Sequence, residues 1–219
     1  METKLIITDD GSHTLYVPGM NEHYHSRFGA MTESRHIFIN AGLATLPPGD
    51  TAIIEVGFGT GLNALLTAIY AGDEKIRVSY TTLEKEPLEA SIITSLNYGT
   101  LAGKGGEELF MAIHEAPWNR SCAITEWFTI EKRLTDLITE ELSGLYDLVY
   151  FDAFGPDKQP AMWNENVMRK IAAVTHPGSL FVTYSAKGDL KRMLRMLGFD
   201  VTILPGPPGK RVITRALKK

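Results

Sequence analysis

The chain is poor in the features that would place it among several common classes of protein. One cysteine, Cys122, in 219 residues excludes an internal disulfide framework and any cysteine-based metal cluster. No apolar run of about 18 residues occurs, so no transmembrane helix is expected. The opening M-E-T-K-L-I-I-T-D-D lacks the apolar core of a secretory signal. His23 and His25 alternate, but no third ligand stands at a useful spacing, so no metal is expected. These absences point to a cytoplasmic protein with no membrane association.

What remains is ordinary for a globular chain, with 44% apolar and 22% charged residues and enough length for a substantial core. The net charge of −4 hides an asymmetry. From Lys187 to Lys219 nine basic residues are opposed only by Asp189 and Asp200, so a basic end follows an acidic body. Such an end suits a polyanion-binding face, although a solvated helix face with a frayed tail has the same composition.

The most informative stretch is I-I-E-V-G-F-G-T-G-L-N, Ile53 to Asn63. An apolar strand ends at Glu55 and Val56, and Gly57, Gly59 and Gly61 lead into a helix starting at Leu62. The dinucleotide fingerprint needs Gly-x-Gly-x-x-Gly, but its last position here is Leu62. A phosphate-binding loop would end in Gly-Lys-Ser/Thr, which is missing. Acid-x-Gly-x-Gly-x-Gly is instead the spacing associated with S-adenosylmethionine in Rossmann-like methyltransferases. Glu55, Gly57, Phe58, Gly59, Thr60, Gly61 and Asn63 are therefore candidate cofactor residues. A plain strand-to-helix turn is the alternative.

The first 48 residues differ from the rest. Ile6 to Val17 alternates about Asp10-Gly11, which predicts a β-hairpin with a type I′ turn. Thr32 is placed to cap a short helix that ends near Gly42. Residues 49–219 then alternate strands (52–56, 78–84, 127–130, 146–151, 180–184, 201–204, 212–214) with helices (62–71, 87–96, 107–115, 134–142, 161–174, 190–197). Pro87 fits a first helical turn. This α/β order predicts a mostly parallel sheet covered on both faces. P-G-P-P-G-K is too short for a helical crossover, so the last two strands should form an antiparallel hairpin. The expected fold is a Rossmann-like class I methyltransferase domain with a small N-terminal β-hairpin extension.

Ligands of an open α/β sheet lie outside the carboxyl ends of its strands. Glu84, about twenty residues past the glycine loop and followed by Lys85, is placed to accept hydrogen bonds from the ribose hydroxyls. Y-D-L-V-Y-F-D-A-F-G-P delivers Asp152, Phe154 and Pro156 to the same rim. There a carboxylate can hold an amine nucleophile while an aromatic ring walls the pocket. Trp163 lies close enough in sequence to line that pocket, with Tyr24 and Tyr184 closing it.

With these segments placed, the chain resembles the methyltransferase half of MnmC, whose stand-alone form is often called MnmD. E-V-G-F-G-T-G-L-N, L-E-K-E-P and F-D-A-F-G-P-D-K-Q-P-A-M-W-N-E-N carry the resemblance. Y-H-S-R-F-G-A-M-T-E-S-R-H-I-F-I-N-A-G-L, Y-S-A-K-G and G-P-P-G-K-R extend it over nearly the whole chain. The resemblance implies methyl transfer from S-adenosylmethionine to the amine of 5-aminomethyl-(2-thio)uridine at the wobble position, in the tRNA anticodon loop. Asp152 would orient the amine, while Lys210 and Arg211 would meet the RNA. Bifunctional members add a flavin-dependent oxidase domain, for which 219 residues leave no room. Longer members also read W-F-G-D where this chain reads W-F-T-I at Trp127–Ile130, which leaves adenine recognition open. Two competing readings are a class I methyltransferase for another amine and a silent RNA-binding domain. An oxidoreductase is opposed by the missing fingerprint glycine, and a scaffold has no need of Asp152.

Overall fold

The computed structural model describes residues 2–219. In chain order it begins with strands β1 (Lys4–Ile7), β2 (His13–Val17) and β3 (Glu22–His23) and helix α1 (Ala30–Ser34). The first half of the Rossmann-like unit is β4 (Thr51–Val56), α2 (Leu62–Glu74), β5 (Val78–Glu84), α3 (Ala90–Ile93), α4 (Tyr98–Leu101) and α5 (Gly106–Glu115). It continues with β6 (Ser121–Ala123), β7 (Phe128–Leu134), β8 (Tyr146–Phe151), α6 (Glu165–Ala173), β9 (Thr175–Thr183), α7 (Gly188–Met196), β10 (Phe199–Pro205) and β11 (Val212–Lys218).

Eight strands form one sheet in the order β10-β11-β9-β8-β4-β5-β7-β6. The central strands β9, β8, β4, β5 and β7 run parallel, while β11 enters antiparallel between β9 and β10. This is the class I methyltransferase arrangement, a parallel sheet closed by an antiparallel C-terminal hairpin. β4 and β8 are near-continuous apolar runs because both of their faces are covered. Alternation along each strand sends Ile53, Tyr80, Leu148 and Tyr150 to one apolar layer, with α2 and α5. Ile54, Val56, Val149 and Phe151 enter the other layer, with Val167 and Ile171 of α6 and Leu190 and Leu194 of α7. Leu15, Ile37, Phe38 and Ile39 of the N-terminal segment pack into the first layer. Among the described residues, no helix is long and apolar enough to cross a membrane.

Five local expectations are corrected. The first hairpin pairs Ile7 with His13 and closes through a five-residue loop, Thr8–Ser12, rather than a two-residue type I′ turn. The Asp10 carboxylate accepts hydrogen bonds from the Thr8 hydroxyl and the Ser12 amide, which stabilises the longer loop. Thr32 lies within α1, where its hydroxyl also donates to Asp10, and Gly29 stands at the helix start; α1 then continues as a π-helical segment, Arg35–Asn40. Pro87 precedes α3 instead of opening a helix, and only the short α3 and α4 form over that region. No helix forms over 134–142. β7 runs to Leu134, the Asp136 carboxylate takes the Ile138 amide, and Lys170 Nζ donates to the carbonyls of Leu137, Ile138 and Glu140. Those carbonyls are satisfied without a helical ladder. Finally, Trp127–Ile130 lies at the start of β7, with Phe128 in register with Val78, and so is at the opposite end of the sheet from the glycine loop.

Candidate functional site

The carboxyl ends of β4, β5, β7 and β8 open into a cavity of about 440 Å³, roofed by residues 22–28 and reached by Gly209 and Lys210 of the β10–β11 loop. The glycine loop forms its floor. Gly57 has φ 91°, and a Cβ there would lie 3.0 Å from the Asp152 carbonyl oxygen; at Gly59, with φ 50°, it would lie 3.1 Å from the Tyr24 ring. Backbone and ring therefore close in where a side chain would intrude. Gly59 N–H donates to Glu84 Oε2 at 3.0 Å, and Glu86 N–H donates to Glu84 Oε1 at 2.8 Å. The acid at the end of β5 is thus fixed against the loop.

Thr60 is clamped from two sides. His25 Nε2 lies 2.7 Å from its hydroxyl, and His114 Nε2 donates to its carbonyl at 3.1 Å. Burial pushes both imidazoles down to about 4, so both are neutral at pH 7 and serve as hydrogen-bond partners rather than cations. Beneath Phe58, buried Lys132 donates to the His114 carbonyl at 2.5 Å and lies 4.8 Å from the Trp118 ring centre. Burial lowers its ammonium to about 8.

Asn63, in the first turn of α2, joins two carboxyl groups. Its Nδ2 donates to Glu55 Oε1 at 3.0 Å and to Asp152 Oδ2 at 2.8 Å. Glu55 Oε2 accepts from the Thr82 hydroxyl at 2.7 Å. Burial pushes the Glu55 carboxyl up to about 8 against the pull of those hydrogen bonds. Burial also holds Asp152 well above the usual carboxylate range, with the Asn63 bond opposing and nearby Glu33 and Glu55 adding to the rise. Such a carboxyl takes up a proton more readily than an ordinary carboxylate.

Around Asp152 the wall is aromatic and charged. Tyr24 meets Phe154 edge-on at 4.9 Å, and the Tyr184 hydroxyl donates to the Ala153 carbonyl at 2.7 Å. Lys210 Nζ lies 4.8 Å from the Tyr184 ring centre and 3.2 Å from Glu33 Oε1. Glu33 is buried, and its Oε2 accepts the Ser26 amide at 2.7 Å.

The cavity wall brings together Gly57, Phe58, Gly59, Thr60, Asn63, Glu84, Lys85, Asp152, Phe154, Tyr24, Tyr184 and Lys210. Five other candidates lie off it. Glu55 is buried behind Asn63, and Gly61 heads α2 against His114. Trp163 is buried beneath the wall, where its Nε1 donates to the Phe154 carbonyl at 2.7 Å; it supports the wall without lining it. Pro156 is likewise absent from the wall, and Arg211 is exposed outside it. The sequence reading missed Glu33, Met162, Thr135, Asp136 and Leu137, all on the wall. The last three occupy the rim after β7, where W-F-T-I does not reach. Asp136 is also paired with Lys85 at 2.9 Å.

Comparison with known proteins follows the same lines. A family model described as an S-adenosyl-L-methionine-dependent methyltransferase matches residues 127–219. The chain is 29% identical over 206 residues to the tRNA 5-methylaminomethyl-2-thiouridine biosynthesis bifunctional protein MnmC of Chromobacterium violaceum, covering 87% of this chain and 31% of that protein. It is 31% identical over 212 residues to the protein of the same name from Ralstonia nicotianae, covering 88% of this chain and 31% of that protein. The chain thus spans about a third of the length of these relatives. Among solved structures, MNMC2 from Aquifex aeolicus superposes with a TM-score of 0.80 at 27% identity, covering 100% of this chain and 70% of that chain. Streptomyces venezuelae DesVI shares the fold, with a TM-score of 0.51 at 11% identity over 86% of this chain and 92% of that chain.

Proposed function

Taking as premise that this chain is an S-adenosylmethionine-dependent methyltransferase related to MnmC over most of its length, we propose that it methylates the amine of 5-aminomethyl-(2-thio)uridine at the wobble position of tRNA. The observation that carries this reading is Asp152, a carboxyl of raised affinity for protons on the cavity wall, held by Asn63 next to the glycine loop.

The residues present fit the cofactor. Gly57 and Gly59 keep the floor free of side chains, Glu84 supplies acceptors for ribose hydroxyls, and Thr135, Asp136 and Leu137 line the rim beside it where adenine recognition belongs. When bound, S-adenosylmethionine supplies an electrophilic methyl group on a sulfonium.

An aminomethyl group arrives largely as an ammonium, which has no lone pair for attack. Asp152 Oδ2 is occupied by Asn63, and Oδ1 takes no hydrogen bond from the described residues. Oδ1 is therefore the atom that receives the amine proton, and burial makes the carboxyl more basic than an ordinary carboxylate. The neutral amine then stays hydrogen-bonded to the Asp152 carboxyl and in position for attack. Tyr24, Phe154 and Tyr184 wall the uracil, a base that a single-stranded loop can splay out. Arg211 and Lys187 are exposed and Lys191 is half-buried; these cations suit the phosphates, although Lys187 is paired with Asp157 at 2.8 Å.

Nucleoside mass spectrometry tests this reading. After incubation with S-adenosylmethionine, tRNA bearing 5-aminomethyl-2-thiouridine should gain one methyl at that nucleoside, and tRNA with unmodified uridine should gain none. Methylation of unmodified tRNA, or of another amine in preference, would remove the substrate assignment and leave the cofactor assignment standing.

A further inference from the structure

Phe28 is one of the most exposed large apolar side chains, 53% accessible, yet it stands at the mouth of the cavity. It is not loosely held. Its amide donates to Ser26 Oγ at 3.2 Å, Gly29 N–H donates to the Ser26 carbonyl at 3.2 Å, and the Arg27 carbonyl accepts Asp9 N–H at 2.9 Å. The ring lies directly on the backbone of Gly209 in the P-G-P-P-G-K loop, so that a Cβ at Gly209 would collide with ring atoms Cδ2 and Cε2. The N-terminal roof and the C-terminal hairpin therefore meet through this ring. One side of the ring is seated on backbone, and about half of the side chain remains open to solvent. Arg27 beside it is exposed, and Lys210 follows Gly209.

A cavity of about 440 Å³ has to take the cofactor and the target uracil together. The nucleotides next to the target in the RNA then lie at the mouth, where Phe28 presents its ring. Resting on the tRNA reading above, we propose that Phe28, seated on Gly209, is a stacking shelf for a nucleobase adjacent to the target uridine. Arg27 provides a cation for the neighbouring phosphate. A preorganised ring with one covered face loses little freedom when a base stacks on the other, and any base offers such a face. The shelf would hold the RNA while leaving the chemistry inside the cavity untouched.

Steady-state kinetics with an aminomethyl-uridine anticodon stem-loop test the shelf. Phe28→Ala should raise KM for the RNA by roughly fivefold or more, the low end for losing one base–aromatic stack, with kcat and S-adenosylmethionine affinity unchanged. Phe28→Trp should keep the KM, whereas Phe28→Leu, apolar but without a ring, should behave like Phe28→Ala. Gly209→Ala, which must displace the ring, should raise KM independently. An unchanged KM in Phe28→Ala, or equal KM values for the Leu and Trp variants, would overturn the shelf while the substrate reading stands. A wild-type protein that methylates no aminomethyl-uridine RNA would overturn the substrate reading and the shelf with it.

Discussion

Replacing Asn63 by Ala removes the group that bridges the buried Glu55 carboxyl and the half-buried Asp152 carboxyl on the cavity wall. Asn63 Nδ2 donates to both Glu55 and Asp152, at 3.0 and 2.8 Å. A hydrogen bond to a charged acceptor contributes about 1.5–3 kcal/mol, and one to a neutral acceptor about 0.5–1.5 kcal/mol. With Glu55 pushed up to about 8 and so mostly protonated at pH 7, and with Asp152 ionised as the proposed base, the two bonds together contribute roughly 2–4.5 kcal/mol. The substitution should cost that much in urea unfolding at pH 7. It should also act on catalysis, because the Asn63 bond is the first of the influences holding the Asp152 pKa down. Its loss raises that pKa further, and the ionised form acts as the base, so the acid limb of the kcat/KM profile should move to higher pH. On that limb the turnover should fall, and raising the pH should recover part of it. Cofactor affinity, measured by calorimetry, should change much less than turnover. A stability change under about 0.5 kcal/mol, or an acid limb that does not move, would refute the role given to this side chain.

Three further outcomes follow from the site. His25 and His114 have folded pKa values of about 4 against 6.5 when unfolded, so the unfolded chain binds more protons between those values. Stability should be full above pH 6.5 and fall as pH drops toward 4, by about 2–3 kcal/mol for each imidazole. His25→Gln should flatten that fall in urea titrations at pH 7 and 4.5, and an unchanged slope would show that His25 does not contribute. Glu84→Ala should weaken S-adenosylmethionine binding by roughly 1.5–3 kcal/mol by calorimetry, and equal affinity would remove Glu84 from the site. tRNA affinity should fall with salt at a log–log slope of roughly −0.7 to −0.9 per phosphate neutralised. Arg211→Ala should flatten this slope more than Lys210→Ala, because Lys210 is turned toward Glu33 and Tyr184; the reverse order would place Lys210 on the RNA backbone.

Where one interaction dominates a segment, the sequence is a good guide to the structure. The ranges expected for β5 and β8 match the observed strands, because short runs rich in β-branched, aromatic and apolar residues have few other ways to be buried on two faces. Asp152 and Glu84 are legible for a related reason, since both end such runs at the carboxyl rim. Legibility fails where a distant partner decides. Residues 134–142 have an apolar spacing that suits a helix, but Lys170, about thirty residues away, takes their carbonyls. Trp163 is close to Asp152 in sequence and suggests a pocket wall, yet its indole N–H is satisfied by the Phe154 carbonyl and the ring is buried below. Glu33 carries no local signal at all. It lies among helix-forming residues, and only the fold brings it to Lys210. The short edge strand β6 carries no such signal, because it is three residues long and, among the described residues, pairs with β7 alone.

The placement of the missed residues says something about how the site is built. The Rossmann-like sheet supplies the glycine loop, Glu84 and Asp152, all within a few residues of strand ends. The acceptor side is completed by a segment from outside that sheet. Within residues 24–33, Tyr24 covers Gly59, His25 holds Thr60, Phe28 sits on Gly209 and Glu33 pairs with Lys210. One stretch of about ten residues therefore touches both the glycine loop and the C-terminal loop. In the proposed transfer from a sulfonium to an amine the positive charge moves without being created, so holding the partners at reacting distance matters more than stabilising new charge. A roof tied to both ends of the site is well suited to that demand. Cutting the tie at His25 should loosen Thr60 and the cofactor floor, whereas cutting it at Phe28 should loosen only the RNA. The two variants should then separate in S-adenosylmethionine affinity although the residues stand three positions apart, because each anchors the roof to a different wall.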